Sequence, residues 1–306
     1  MTTMRRHGNC HSGGSKLMCS PVSWGLWAAL IWAALSLSGC GLEPEEPLQI
    51  CPGKGSVEEA LTTLRANAQK AAAIRANGNC LLTYHEDGKK RKEGPFTLNL
   101  RVNPPRHMYI EINVAFDAKG VIAGANEREF WLAIKRKEID TYWHGQWAEV
   151  RRTEGLLFNP RVMLEGLGVA DVVDGGEADW SQMNEGPFDI LVLRDAAGMP
   201  VKKVYVYCCD YVVRKIEYFD TYGQPEVTAE LGRYVQITED FSMPTRITVS
   251  YRGDVEETLA RFSLSNPKVT SFSEKQRRVL FNPLSPGRID RYKNRRELVE
   301  GEWVDR

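Results

Sequence analysis

From Asn79 onward, apolar and polar residues trade places at every second position, and nothing else in the chain restricts its fold as much. Phe96, Leu98, Leu100 and Val102 alternate with Thr97, Asn99 and Arg101. Met108, Ile110, Ile112 and Val114 alternate with Tyr109, Glu111 and Asn113. Side chains two apart share one face of a strand, so each segment has a dry face and a wet face, the mark of antiparallel sheet. The pattern predicts further strands at 79–86, 128–135, 138–143, 146–151, 188–194, 201–209, 211–219, 226–237, 245–252 and 255–264. Turn residues separate them at Asp87-Gly88, Pro104-Pro105, His144-Gly145, Ala197-Gly198, Tyr222-Gly223 and Gly253-Asp254. Asn266-Pro267 ends the expected sheet, which has about twelve strands joined by local hairpins.

Some segments depart from simple alternation. Residues 128–135 are apolar on both faces, so that strand should have something packed on each side. Trp131, Tyr142, Trp143 and Trp147 read as core and cross-strand partners, and so do Tyr205, Tyr207 and Tyr211. The 115–127 connection contains Val121 and Ile122, but Gly120 and Gly124 make it an ordinary turn or an edge strand. Residues 170–186 are acidic and glycine-containing, a surface loop. Residues 269–282 end in Val279, Leu280 and Phe281, which could lap over an open sheet edge.

Two helices interrupt the sheet pattern. Ser56-Val57-Glu58-Glu59 fits a capping box, and Val57, Ala60, Leu61, Leu64, Ala68, Ala71 and Ala72 recur at three and four residue spacing. Asn77-Gly78 supply a helix stop. Gly53-Lys54-Gly55-Ser56, in front of this helix, lacks P-loop spacing and reads as a capped linker. A shorter helix is expected at 160–167, with Asn159 as cap, Pro160 in the first position and Gly168 as its end.

The N-terminal part has a different character. Arg5, Arg6 and Lys16 precede an apolar run from Val22 to Leu37, and small residues follow, as in an export signal. Leu37-Ser38-Gly39-Cys40 resembles the lipobox of bacterial lipoproteins. The resemblance implies that residues 1–39 are removed and that Cys40 is lipidated. It places the folded part outside the cytoplasm, attached to a membrane through acyl chains. Gly41 follows instead of the inner-membrane retention residue Asp, which leans toward an outer membrane facing the periplasm. Residues 40–55 form a tether, kept extended by Pro44, Pro47 and Pro52 and solvated by Glu43, Glu45 and Glu46. The domain spans 56–285. Residues 286–306 read as a polar tail in which the cations from Arg288 to Arg296 are balanced by Glu297, Glu300, Glu302 and Asp305.

The order of elements, with an early helix, a meander of amphipathic strands, a short helix midway and the late strand Met243-Pro244-Thr245-Arg246-Ile247, is similar to that of the lipoprotein-carrier family, the Lol carriers and their relatives. The resemblance covers roughly residues 56–282 and is one of architecture. It implies an α+β, mainly antiparallel fold: a curved, incomplete β-barrel with one long N-terminal helix and a short helix on its concave side. It also implies an acyl ligand from a lipid or lipoprotein, held between sheet and helices. Burial of apolar surface, at about 25 cal/mol per Å², would drive such uptake without any titrating group. The inward-facing candidates are Leu98, Leu100, Met108, Ile110, Ile112, Phe130, Leu132 and Ile134, with Leu61 and Leu64 on the helix.

Other chemistries find little support in the residues. The chain carries 40 basic and 40 acidic residues, so no net field favours nucleic acid. Cys51, Cys80, Cys208 and Cys209 have no metal-ligand spacing. An oxidising compartment permits disulfides, and the expectation is that Cys51 or Cys80 meets one of the vicinal pair. No cofactor motif, nucleophile elbow or HExxH signature is present, so an enzyme is not expected. Two functions fit: a non-catalytic carrier or receptor for acyl chains, or an anchored interaction or sensor module that binds an envelope protein and no lipid.

Overall fold

A computed structural model describes residues 48–86, 88–114, 117–135, 139–149, 159–173, 179–253 and 257–306. The export leader, Cys40 and the tether as far as Pro47 lie outside the described residues. So do Asp87, residues 150–158, residues 174–178 of the acidic stretch, and Asp254.

Fifteen strands form one sheet. In chain order they are β1 (Ile74–Glu86), β2 (Lys89–Asn103), β3 (His107–Val114), β4 (Asp117–Ala125), β5 (Glu129–Lys135), β6 (Asp140–Gln146), β7 (Trp180–Glu185), β8 (Phe188–Arg194), β9 (Pro200–Tyr207), β10 (Val212–Phe219), β11 (Pro225–Thr238), β12 (Phe241–Arg252), β13 (Glu257–Val269), β14 (Asn294–Val299) and β15 (Glu302–Asp305). Their spatial order is β15-β14-β6-β5-β4-β3-β2-β1-β13-β12-β11-β10-β9-β8-β7, with no bond between the first and the last, so the sheet is open. All pairings are antiparallel except the parallel pair β14–β6.

One face of this sheet sends Leu100, Ile110, Ala123 and Leu132 from one side, and Leu191, Val204, Ile216, Ala229, Val249 and Phe262 from the other, into a single buried cluster. That cluster also takes Ala60, Leu61 and Leu64 from helix α1 (Val57–Gln69) and Val162, Met163 and Leu164 from helix α2 (Pro160–Gly166). A sheet this wide can bring one face to one core only by curving around it, and the two helices fill the concavity. This is the curved, incomplete barrel that the resemblance implies, built from the antiparallel strands expected from the alternation. A second cluster lies on the opposite face: Tyr109, Ile122, Trp131, Ala133 and Tyr142 are covered by Phe272, Phe281, Leu284 and Tyr292. The covering residues flank α3 (Glu274–Leu280) and α4 (Pro286–Ile289). Strand β5 is therefore dry on both sides, as its sequence requires: Phe130 and Leu132 face inward, Trp131 and Ala133 outward. The compact unit Leu48–Arg306 holds every described strand, both clusters and the disulfide.

Several local expectations are corrected. Helix α1 ends at Gln69, and Asn77-Gly78 lie within β1. Gly78 serves strand pairing: a Cβ there would stand 2.2 Å from the Ser263 carbonyl of β13. His144-Gly145 is strand, not turn. Strand β4 is interior, paired with both β3 and β5, and Gly124 leaves room for the Trp131 ring, whose Cζ2 would be 2.2 Å from an added Cβ. Asn266, at φ +50°, lies opposite a break in the β1 register between Arg75 and Asn77, after which β13 runs on to Val269. The acidic stretch does not stay a loop, because Trp180–Glu185 becomes the edge strand β7 and Val172 and Val173 are buried. The stretch read as a polar tail adds β14 and β15 to the sheet edge. Its charges pair across the surface, Arg296 with Asp305 at 2.9 Å and Arg306 with Glu297 at 2.7 Å, while Leu298 turns into the inner cluster.

Candidate functional site

The ten residues singled out as inward-facing, eight from the alternation and two from the helix stripe, come together. Leu61, Leu64, Leu98, Leu100, Met108, Ile110, Ile112, Phe130 and Leu132 all belong to the inner cluster, and Ile134 packs against it. All but the half-buried Ile134 are buried among protein side chains, as in cores of normal density. Empty space lies instead beside α2. One hollow of about 250 Å³ is lined by Leu64 and Ala68 of α1, by Gly166, Gly168, Ala170 and Val172, and by Val212, Val213, Tyr234 and Phe241. Another of about 300 Å³ is lined by Pro105, Arg106, Trp147, Arg161, Leu164, Ala170 and Asp171. Glu165 and Ala170 border both. Taken singly, each is at or just below the lower end of the range of about 300–1,000 Å³ usual for small-molecule sites.

Local sequence explains the wall between them. The Asn159 side chain accepts the Arg161 amide at 2.9 Å, Pro160 opens α2, and Gly168 turns the chain at φ +70°. Glu165 is fully enclosed. Its carboxylate accepts from Lys202 Nζ at 2.9 Å, Arg161 Nε at 2.7 Å and the Tyr218 hydroxyl at 2.7 Å. Lys202, also buried, donates to the Val172 carbonyl at 3.0 Å. Burial alone would push the Glu165 carboxyl up. The charges of Lys202 and Arg161, with their hydrogen bonds, outweigh it and hold the carboxyl below its ordinary value. Helix α2 is thus fastened to β9 and β10 by an ion pair inside the concavity.

Register places both hollows at one end of the sheet. Tyr207 opposite Val212, Thr238 opposite Phe241, Asn103 opposite His107, and Glu129 opposite Gln146 mark that end. The same end holds the disulfide between Cys51 and Cys209, with Cα atoms 5.1 Å apart. This resolves the pairing that the sequence left open. Beside it, buried Asp189 accepts from the Lys54 amide at 2.8 Å, Asn184 Nδ2 at 2.7 Å and the Tyr211 hydroxyl at 3.1 Å, so the chain leading into α1 is pinned there. Cys208 and Cys80 are free thiols; burial, reinforced by Asp189, pushes Cys208 up to about 11, and burial pushes Cys80 up to about 12.

Sequence reading missed Glu165, Lys202, Tyr218 and Asp189 as structural polar groups. The signal was present: Lys202 is in phase with Val204 and Val206, and Asp189 with Leu191 and Leu193, so both charges point inward. No charged side chain is buried without a partner at low cost, so such a phase match implies one elsewhere in the chain.

The fold and its hollows define an open antiparallel half-barrel with helices in its concavity. Among solved structures, this chain is similar to a LolA superfamily protein from Nitrosomonas europaea (12% identity, 75% of this chain and 99% of that one, TM-score 0.48). It is also similar to a DUF1329 family protein from Desulfovibrio piger (10%, 74% and 100%, 0.48) and to a putative outer membrane lipoprotein-sorting protein domain from Vibrio parahaemolyticus (13%, 74% and 97%, 0.47). No family model matches the sequence, and no curated protein matches it. Among the described residues, no helix is long and apolar enough to cross a membrane.

Proposed function

We propose that this chain is a lipid-anchored protein of the cell envelope that takes up an acyl chain of a lipid or lipoprotein without catalysis. The observation that carries this reading is the pair of hollows on either side of α2, inside the concavity and at the end where the disulfide fixes the N-terminal segment. Their walls are mixed, with apolar residues such as Leu64, Val213, Phe241, Trp147 and Leu164 beside charged ones such as Lys70, Asp210, Arg161 and Asp171, so the alkyl part of a ligand entering there leaves water for the apolar share of the surface. Cys40, eleven residues before Cys51, can extend at most about 40 Å from it, so lipidation would keep this end of the domain near the bilayer. An outer membrane is the favoured location.

The alternative, an anchored module that binds an envelope protein and no lipid, draws on the packed state of the inner cluster. One experiment separates them. The chain, exported from its host with a cleavable signal in place of residues 1–40 so that it carries no anchor, is purified without detergent and extracted with organic solvent, which releases only non-covalent lipid. Acyl species should be recovered from the wild type and lost from Ala170→Trp, which fills the wall shared by both hollows. No lipid in the wild type, or equal lipid in both, refutes acyl uptake and leaves the interaction module.

A further inference from the structure

We propose that the hollow beside Trp147 is a headgroup subsite, and that the ligand is a single-chain amphiphile with an anionic head. This rests on the acyl-binding reading above and adds to it the charge and orientation of the ligand. The carboxylate or phosphate would lie by Arg106 and Arg161, and the first methylenes against Trp147 and Leu164.

The charge arrangement supports it. Arg106, on the turn between β2 and β3, is exposed, and its guanidinium makes no ion pair or hydrogen bond among the described residues. The acidic groups at the hollow are already engaged. Glu165 is held by Lys202, Arg161 and Tyr218. Asp171 accepts the Val173 amide at 2.9 Å and stands 3.7 Å from Arg65 Nε. The charged residues that line the hollow are Arg106 and Arg161 with Glu165 and Asp171; Lys202 and Arg65, outside the lining, share the charge of those two carboxylates, so that Arg106 is the cation left for an incoming anion. A guanidinium fork matches carboxylate and phosphate oxygens in pairs. The apolar side of the hollow is fixed in place: Trp147 Nε1 donates to the Asn126 carbonyl at 2.6 Å, and its ring lies 4.8 Å from that of Phe130. A charged rim beside a rigid aromatic wall suits the junction of an anionic head and an alkyl chain, where a neutral alkyl chain would use only the wall.

The test is isothermal titration of the chain from residue 40 onward, carrying Cys40→Ser to keep it free of acyl chains, with decanoate, decyl phosphate, decanol and inorganic phosphate, all below micelle formation, with circular dichroism to confirm folding. Decanoate and decyl phosphate should bind at least about tenfold more tightly than decanol, the value of one charge-assisted contact. Arg106→Gln, at an exposed position, should erase that preference and leave decanol unchanged. Decanol binding as tightly as decanoate, or an unaltered preference in Arg106→Gln, overturns the headgroup assignment while acyl uptake stands. Inorganic phosphate binding as tightly as decyl phosphate also overturns it, marking a site for the free anion. If no decyl compound binds, acyl uptake falls and this assignment with it.

Discussion

Glu165→Gln tests the fastening of α2. The substitution keeps the shape of the side chain and one acceptor oxygen but removes the charge that offsets Lys202. The Lys202 ammonium, 2% exposed and 2.9 Å from the carboxylate, would then be buried with only neutral oxygens around it. Leaving one partner of a buried ion pair uncompensated costs about 3–5 kcal/mol. For a domain of this size that is a fall in Tm of roughly 10 °C. Glu165→Gln combined with Lys202→Met removes both charges and should return to within about 1–2 kcal/mol of wild type, a non-additivity of several kcal/mol. Urea denaturation of the three proteins at pH 7 measures it. The pH dependence has a definite sign. Because the folded-state Glu165 carboxyl titrates below its ordinary 4.5, its stabilisation is complete above that value and is lost as pH falls through the lower, folded value. The gap between wild type and Glu165→Gln should therefore be constant near neutrality and narrow only in acid. A single substitution within about 1 kcal/mol of wild type, or a double substitution no more stable than the single, would refute the claim that this ion pair holds the helix.

Other expectations follow from particular contacts. Gly124→Ala drives a methyl into the Trp131 ring and should destabilise by about 1–3 kcal/mol in chemical denaturation; a neutral result would mean that the outer cluster is looser than described. Phe281→Ala, at a site 2% exposed between Phe272 and His107, should cost about 3–5 kcal/mol and make the C-terminal segment protease-sensitive first. Thiol titration of the Cys40→Ser chain from residue 40 onward without reductant should find two free groups: Cys208 reacting slowly near pH 8 and faster as pH rises toward 11, and Cys80 only on unfolding. Four free thiols would contradict the Cys51–Cys209 link. Metabolic labelling with a fatty acid should mark wild type and not Cys40→Ser; equal label in both excludes lipidation at Cys40.

Much of the fold could be read in the sequence because alternation is a local property. The strands from Phe188 to Leu264, and the both-sided burial of Phe130 to Ala133, follow from period two alone. Errors gathered where one residue type serves two purposes. Gly78, Gly124 and Gly145 read as a stop, a turn or edge, and a turn, yet each lies within a strand where a neighbouring backbone or ring leaves no room for a Cβ. The segment from Asn294 to Asp305 looked like tail because its outward residues are charged, although Leu298 keeps the inward phase. In both cases the deciding partner is far away in sequence: Ser263 for Gly78, and β6 for β14.

The same limit explains the candidate site. Alternation says which strand side chains face the concavity, as it does for eight of the chosen residues, and helical spacing does the same for Leu61 and Leu64. Whether an inward position touches space or another side chain depends on what covers it. Leu98, Leu100, Met108, Ile110 and Ile112 lie on the central strands β2 and β3 and are sealed in the inner cluster. Coverage fails where α2, only seven residues long, ends and the chain turns at Gly168. Small side chains at Gly166 and Ala170 leave the hollows on either side, while the Glu165–Lys202 pair fixes the wall between them. A longer helix, or a large residue at 170, would close this space without altering any strand. The space beside α2 therefore depends on the length of that helix and on the small residues at its end and just beyond, Gly166 and Ala170, more than on the apolar strands that form the core.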